Sequence, residues 1–153
     1  MKYKKSFIEG NKAQEEFVKQ ALRRGFTVHK ATEDQDKKEH WDYELPFGKI
    51  DVKGVKRKNR HGKKNPDIIW IEMHGKYDDG WLHGKADYIA FQHEKGFTIV
   101  HRDELLRLTL RLVKTEFVKE PELYKLYKRD GSLLTMITLY DLRQITRTEW
   151  IKL

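Results

Sequence analysis

The strongest constraint on how this chain folds comes from residues 42–54, which read DYELPFGKIDVKG. The Leu-Pro-Phe-Gly centre suits a tight turn, because proline fixes φ and glycine tolerates positive φ. Side chains two positions apart on a strand share a face. The second half of the segment therefore predicts a strand with Ile50 and Val52 on a buried face. Asp51 and Lys53 then point together to the opposite face.

The register of this hairpin decides where a second acid lies. If Glu44 pairs with Lys49, Asp42 stands directly opposite Asp51, on the same face and about 5 Å away at Cβ. Two carboxylates at that separation repel each other unless a cation lies between them. A slip of one residue would turn Asp42 to the other face, so the pair depends on the register. The alternative is a surface strand that carries ordinary exposed charges.

Hydrophobic periodicity predicts two main helices in the rest of the chain. The first covers 10–24, with glycine as its C-terminal stop and an apolar face made of Phe17, Val18, Ala21 and Leu22. The second is leucine-rich and begins at a capping Asp103. Residues 31–39 are polar and predict a loop, and a helix around 121–128 is one interpretation of the ambiguous segment 115–130.

Strands are predicted at 26–29, 41–45, 49–55, 68–73, 87–92, 97–100 and 133–140. Strands interspersed with helices favour an α/β protein with a mixed β-sheet flanked by helices. We find no linker or internal repeat, so we expect a single domain spanning residues 1–153.

Composition narrows the possible functions. The net charge is +8 over 153 residues, which favours a polyanionic partner, nucleic acid before membrane. No apolar run approaches the roughly 18 residues of a membrane helix, so we expect no membrane partner and a cytoplasmic location. The chain has no cysteine, which excludes disulfides, thiolate zinc sites and cysteine nucleophiles.

Asp42, Asp51 and Lys53 resemble the first acid, second acid and lysine of the PD-(D/E)xK nuclease superfamily. The first acid of that signature usually follows proline, whereas Asp42 follows Trp41. The resemblance covers roughly residues 6–105. Further blocks resemble those of small phage and archaeal nucleases that include Holliday-junction-resolving enzymes: 70–72, 80–82 and 86–91. The resemblance implies a restriction-endonuclease-like fold.

The same resemblance implies Mg²⁺-dependent hydrolysis of DNA phosphodiester bonds, with Mn²⁺ as a substitute. Asp42 and Asp51 are the implied metal ligands, joined by the main-chain carbonyl of Val52, because hard cations prefer oxygen ligands. Lys53 would orient or deprotonate the attacking water, or stabilise the charge that develops on phosphorus.

Three further side chains keep two interpretations each. Glu15 lies three residues before Val18, a spacing that places it on the inward side of the first helix. It is either a metal ligand, a role that Glu16 would otherwise fill, or a charge at the border of the apolar face. Glu72 is either an outer member of the site or an edge charge. Trp81 either stacks on a base or anchors its loop in the core.

A basic segment follows the proposed catalytic strand. Residues 53–65 contain seven lysines or arginines in thirteen positions, a density that would neutralise several phosphates without reading bases. The alternative is a solvated loop. The predicted DNA-binding residues are Lys56, Arg57, Lys58, Arg60, Lys63 and Lys64.

The leading hypothesis is an endodeoxyribonuclease of DNA recombination that is selective for branched DNA such as Holliday junctions. A symmetric junction needs two coordinated cuts, so we expect a homodimer, with 105–113 and 133–140 as dimer surfaces unless they are core. The alternatives are a sequence-specific or mismatch-type endonuclease of the same fold, and a non-catalytic basic nucleic-acid-binding module.

Overall fold

The computed structural model describes residues 2–57 and 62–153, with side chains from Gly10 onward. This part of the chain contains helices α1 (Lys2–Arg23) and α2 (Arg102–Leu112). Its strands are β1 (His29–Lys30), β2 (Tyr43–Leu45), β3 (Gly48–Lys53), β4 (Ile68–His74), β5 (Tyr88–His93), β6 (Gly96–His101), β7 (Tyr127–Arg129), β8 (Ser132–Thr138) and β9 (Arg147–Ile151). Short helical turns lie at Gln35–Glu39, Trp81–His83 and Leu139–Gln144. None of the described helices combines the length and the apolar character that a membrane crossing requires.

The strands form two sheets. Six of them make a mixed sheet in the order β1-β2-β3-β5-β6-β9, in which β3 and β5 run parallel and the other neighbours run antiparallel. The second sheet is antiparallel, in the order β4-β8-β7. The α/β class predicted from the sequence is confirmed, and the larger sheet is mixed as expected.

Helix α1 packs on one face of the larger sheet. Ala13, Phe17 and Ala21 recur at the spacing of one helical face and are buried against Ile50 and its neighbours. The ring of Phe17 stacks on Trp150 of β9 with 5.3 Å between centroids. The helix thereby ties β3 to the far edge of the sheet.

The phase of α1, meaning which of its faces is buried, differs from the predicted one. Gln20 is fully buried, whereas Leu22 is 58% exposed. The Gln20 amide can lie inside because it donates to Glu16 (2.9 Å) and accepts from Arg24 (2.9 Å). This rotation leaves Glu15 exposed, so its predicted inward placement is wrong.

The opposite face of the larger sheet packs against the smaller sheet and α2. This second core contains Ile89 and Val100 from the larger sheet and Ile71 and Ile137 from the smaller one. The α2 leucines Leu105 and Leu108 complete it. The sequence leaves two interpretations for the segments 105–113 and 133–140, a dimer surface or part of the core. The burial of Leu105, Leu108 and Ile137 favours the core.

Several element predictions were wrong. The expected strand at 26–29 is reduced to the two-residue β1, and the predicted loop at 31–39 contains the helical turn Gln35–Glu39. Asp103 lies within the first turn of α2 rather than at its N-cap, which is His101. The residues around 121–128 form isolated bridges and β7 instead of a helix.

Candidate active site

The β2–β3 hairpin brings the two predicted acids together. Glu44 faces Lys49, which is the register that puts Asp42 beside Asp51. Asp42 lies one residue before β2, and its Oδ2 accepts a 2.7 Å hydrogen bond from the amide of Val52. The turn chemistry thus fixes the register, and the register fixes the pair of acids.

Both carboxylates are buried, with 8% of Asp42 and 5% of Asp51 exposed. Burial, followed by the charge of Asp51, raises the pKa of Asp42 to about 7. Burial also raises the pKa of Asp51, while the nearby Lys53 acts in the opposite direction. Adjacent carboxylates share an excess of negative charge that one proton or one cation can relieve.

Lys53 lies next to this pair. Its Nζ forms an ion pair with Oδ2 of Asp51 at 3.1 Å, and apart from this ion pair no hydrogen-bond partner of that buried oxygen is found among the described residues. The same Nζ lies 4.7 Å from the ring centroid of Trp81, within cation–π range. The ammonium therefore offsets the carboxylate charge while a lone pair of Asp51 stays open to another ligand.

Among the described α1 side chains that line the cleft, Gln14 contacts the acid pair. Its Nε2 donates to Oδ1 of Asp42 (3.3 Å), and its Oε1 accepts from the hydroxyl of Tyr43 (3.4 Å). Glu15 is exposed on the neighbouring side, and Glu16 bonds along the helix instead. The sequence prediction of a helix acid missed Gln14, although it stands one turn before the buried Phe17 and so belongs to the inward face.

A third carboxylate reaches the site from the turn Gln35–Glu39. Asp36 lines the same cleft, and partial burial followed by the charge of Asp42 raises its pKa, although the residue as a whole is exposed. His40 ends this turn at φ 60° and its Nε2 lies 2.8 Å from Oδ2 of Asp78. The sequence pattern does not reveal Asp36, because residues 31–39 are polar and predict a loop.

These side chains line a cleft of about 790 Å³. It lies between residues 10–14 of α1, the turn Gln35–Glu39 and the carboxyl end of β3. Its exposed rim carries three lysines and two acids: Lys30, Lys37, Lys56, Glu33 and Asp36. Lys37 is paired with Glu33. The buried acid pair beneath this lysine rim suits a polyanion that meets a cation at the bottom of the cleft.

The predicted DNA-binding residues do not all lie at the cleft. Lys56 lines the cleft, while Lys63 and Lys64 are exposed beyond it. Lys64 forms a β-bridge with Arg57, whose carbonyl accepts a hydrogen bond from the Trp70 indole (2.9 Å). Lys58 and Arg60 lie outside the described residues.

Glu72 of β4 and Trp81 of the turn Trp81–His83 lie next to Lys53, outside the lining of the cleft. Oε1 of Glu72 accepts a hydrogen bond from the amide of Trp81 (3.3 Å), which anchors the loop before the turn Trp81–His83. Trp81 is buried beneath the Lys53 ammonium. Both residues also line a second cavity, of about 280 Å³, that shares Lys53 with the cleft.

The acids can be compared with the demands of a divalent metal. The described side chains include no group of three or more histidines, aspartates or glutamates arranged to hold a metal ion. Mg²⁺, however, is usually held by one or two carboxylates and keeps several waters. The buried pair with raised pKa values and the open Oδ2 of Asp51 meet that smaller requirement.

No family model, curated protein or solved structure matches this chain. The case for a function therefore depends on the geometry and chemistry of the cleft.

Proposed function

We propose that this protein is a Mg²⁺-dependent endodeoxyribonuclease with a restriction-endonuclease-like core of the PD-(D/E)xK type. One observation carries the proposal. The buried pair Asp42 and Asp51, with Lys53 beside it, lies at the bottom of a cleft rimmed by lysines. Buried like charges destabilise a fold unless they are offset, and such arrangements cluster at functional sites.

Asp42 and Asp51 would hold the metal ion, with the carbonyl of Val52 as a third ligand. Bound Mg²⁺ would act as a Lewis acid toward the phosphodiester and a water molecule, and Mn²⁺ would substitute for it. The Lys53 ammonium, held by Asp51 and the Trp81 ring, would orient the attacking water or stabilise charge on phosphorus. The resemblance implies an acid from the first helix, expected at Glu15. In this proposal Gln14 fills part of that role, because its hydrogen bond orients Asp42.

DNA would enter along the lysine rim. Lys30, Lys37 and Lys56 line the cleft and would contact backbone phosphates, which position DNA without reading its sequence. Contacts of this kind favour recognition of shape. We therefore propose branched DNA as the substrate, a homodimer as the unit that makes two opposed cuts, and the cytoplasm as the location.

Cleavage of a fixed four-way junction and of its component duplexes, at equal salt and in Mg²⁺, tests this substrate choice. Preferential cutting of the junction by a species of twice the chain mass supports the branched-DNA proposal. Equal cutting of both substrates would favour a sequence-specific or mismatch-type endonuclease. Binding without any cleavage would leave a basic nucleic-acid-binding module.

A further inference from the structure

The second cavity lies immediately behind Lys53. Its volume is about 280 Å³, and three aromatic side chains belong to its lining: Trp70, Trp81 and Phe91. The rings of Trp81 and Phe91 meet edge to face with 6.4 Å between centroids. Ligand pockets begin at about 300 Å³, so this cavity suits a single ring system rather than a larger molecule.

The cavity and the cleft are neighbours. Lys53, Gly54 and Lys56 line both of them. Only these shared residues would therefore separate a phosphate group in the cleft from the aromatic cavity. A nucleotide joins its phosphate to a flat base through one sugar, which matches two shared lysines, Lys53 and Lys56, beside a pocket that contains aromatic side chains.

Among the polar side chains of the cavity, Glu72 is the carboxylate. Glu72 lines the wall, and its carboxylate has about four acceptor positions, of which the Trp81 amide takes one. Carboxylates accept hydrogen bonds from exocyclic amino groups such as that of cytosine. Thymine has no such group.

We propose that this cavity binds one nucleobase, preferably one with an exocyclic amino group such as cytosine, next to the phosphate held in the cleft. The base lies against the Trp70 and Trp81 side chains, whose rings also contact Arg129 and Lys53, and it donates to Glu72. The inference rests on the proposed nuclease function for the identity of its ligand, and it adds a base-binding site to the phosphate site.

The test measures binding of deoxycytidine 5′-monophosphate and of 2-deoxyribose 5-phosphate to the whole protein by calorimetry, with Ca²⁺ in place of Mg²⁺. Stacking of a base on aromatic side chains should make the nucleotide bind roughly tenfold tighter than the sugar phosphate. Leu134→Trp, which fills the cavity from β8, should reduce nucleotide binding to the level of the sugar phosphate. The matched control is Leu110→Trp on the exposed face of α2, which should bind like the wild type.

A second variant keeps the test decisive if Leu134→Trp fails to fold. Glu72→Gln preserves an acceptor for the Trp81 amide and should abolish the preference for deoxycytidine over thymidine monophosphate. Equal binding of nucleotide and sugar phosphate by the wild type, or no measurable binding of either, would contradict the proposal that this cavity binds a base. Base-dependent binding by a protein that cuts no DNA would keep the pocket and refute the nuclease, so the two failures are distinguishable.

Discussion

Asp42 and Asp51 are buried side by side, and this placement costs free energy of folding at neutral pH. Charged carboxylates lose hydration on burial and repel each other, so the folded state holds a proton that the unfolded state would release. The pKa of Asp42, raised to about 7, expresses that cost. A divalent cation bound by the pair would remove it, and this links the metal to the stability of the fold.

The variant Asp51→Asn should keep or raise the free energy of unfolding in the absence of metal. Removal of one charge lowers the pKa of Asp42 toward its ordinary value, and each pKa unit corresponds to about 1.4 kcal/mol. Urea unfolding with an NMR titration of Asp42 measures both effects. Asp103→Asn, at an exposed position on α2, is the control. A less stable variant with an unchanged Asp42 pKa would contradict the account.

Stability without metal should fall as pH rises from about 4 to about 7. The folded state retains a proton on Asp42 over this range while the unfolded state has lost it, so the unfolded state binds fewer protons. Mg²⁺ should reverse the trend by stabilising the protein at pH 8 far more than at pH 5, because the metal needs ionised ligands. Thermal unfolding at both pH values checks this. A pH-independent effect of Mg²⁺ would place the ion elsewhere.

Elements differ in how well local sequence determines them. The hairpin at 42–53 was predictable, because turn chemistry and period-two alternation agreed on one register. The phase of α1 was not, because Gln20 is a polar residue that its hydrogen bonds allow inside. β9 escaped prediction because this edge strand buries Trp150 and exposes its other side chains.

The phase of α1 predicts different effects for two neighbouring residues. Gln14→Ala should lower the rate of cleavage roughly tenfold with little change in DNA binding, because Asp42 loses an orienting hydrogen bond. Glu15→Gln should leave the rate close to that of the wild type, because this side chain is exposed. Single-turnover rates of both variants provide the comparison. A larger loss of cleavage rate in Glu15→Gln than in Gln14→Ala would show that Glu15 acts in the site after all.

The connection between β3 and β4 should account for part of the salt dependence of binding. Neutralising Lys56, Arg57 and Lys58 together should reduce the log–log salt slope by about 0.9 for each DNA phosphate that the variant no longer neutralises. Neutralising three exposed lysines away from the cleft, Lys95, Lys114 and Lys119, is the charge-matched control. Equal slopes for the two triple variants would show that the loop contributes only to net charge.

At the scale of the whole molecule, the described residues form two sheets and two buried cores, and the full sequence has a net charge of +8. Ile50 and Val52 bury one face of β3 against α1, and the β2–β3 hairpin places Asp42 beside Asp51 and Lys53 in a cleft that also contains lysines. Residue patterns predicted the two acids and Lys53. They could not predict Asp36 and Gln14, because contacts between distant segments bring these two to the cleft.

Nicking of supercoiled plasmid by the wild type and by Asp51→Asn, together with DNA binding in Ca²⁺, tests the central claim most directly. We predict Mg²⁺-dependent nicking by the wild type, none with EDTA, and a decrease of at least about a thousandfold in the variant. Binding in Ca²⁺ should survive in both proteins, because the lysine rim is unchanged. Near-normal cleavage by Asp51→Asn, or no cleavage by the wild type, would contradict the assignment of Asp42, Asp51 and Lys53 as a nuclease centre.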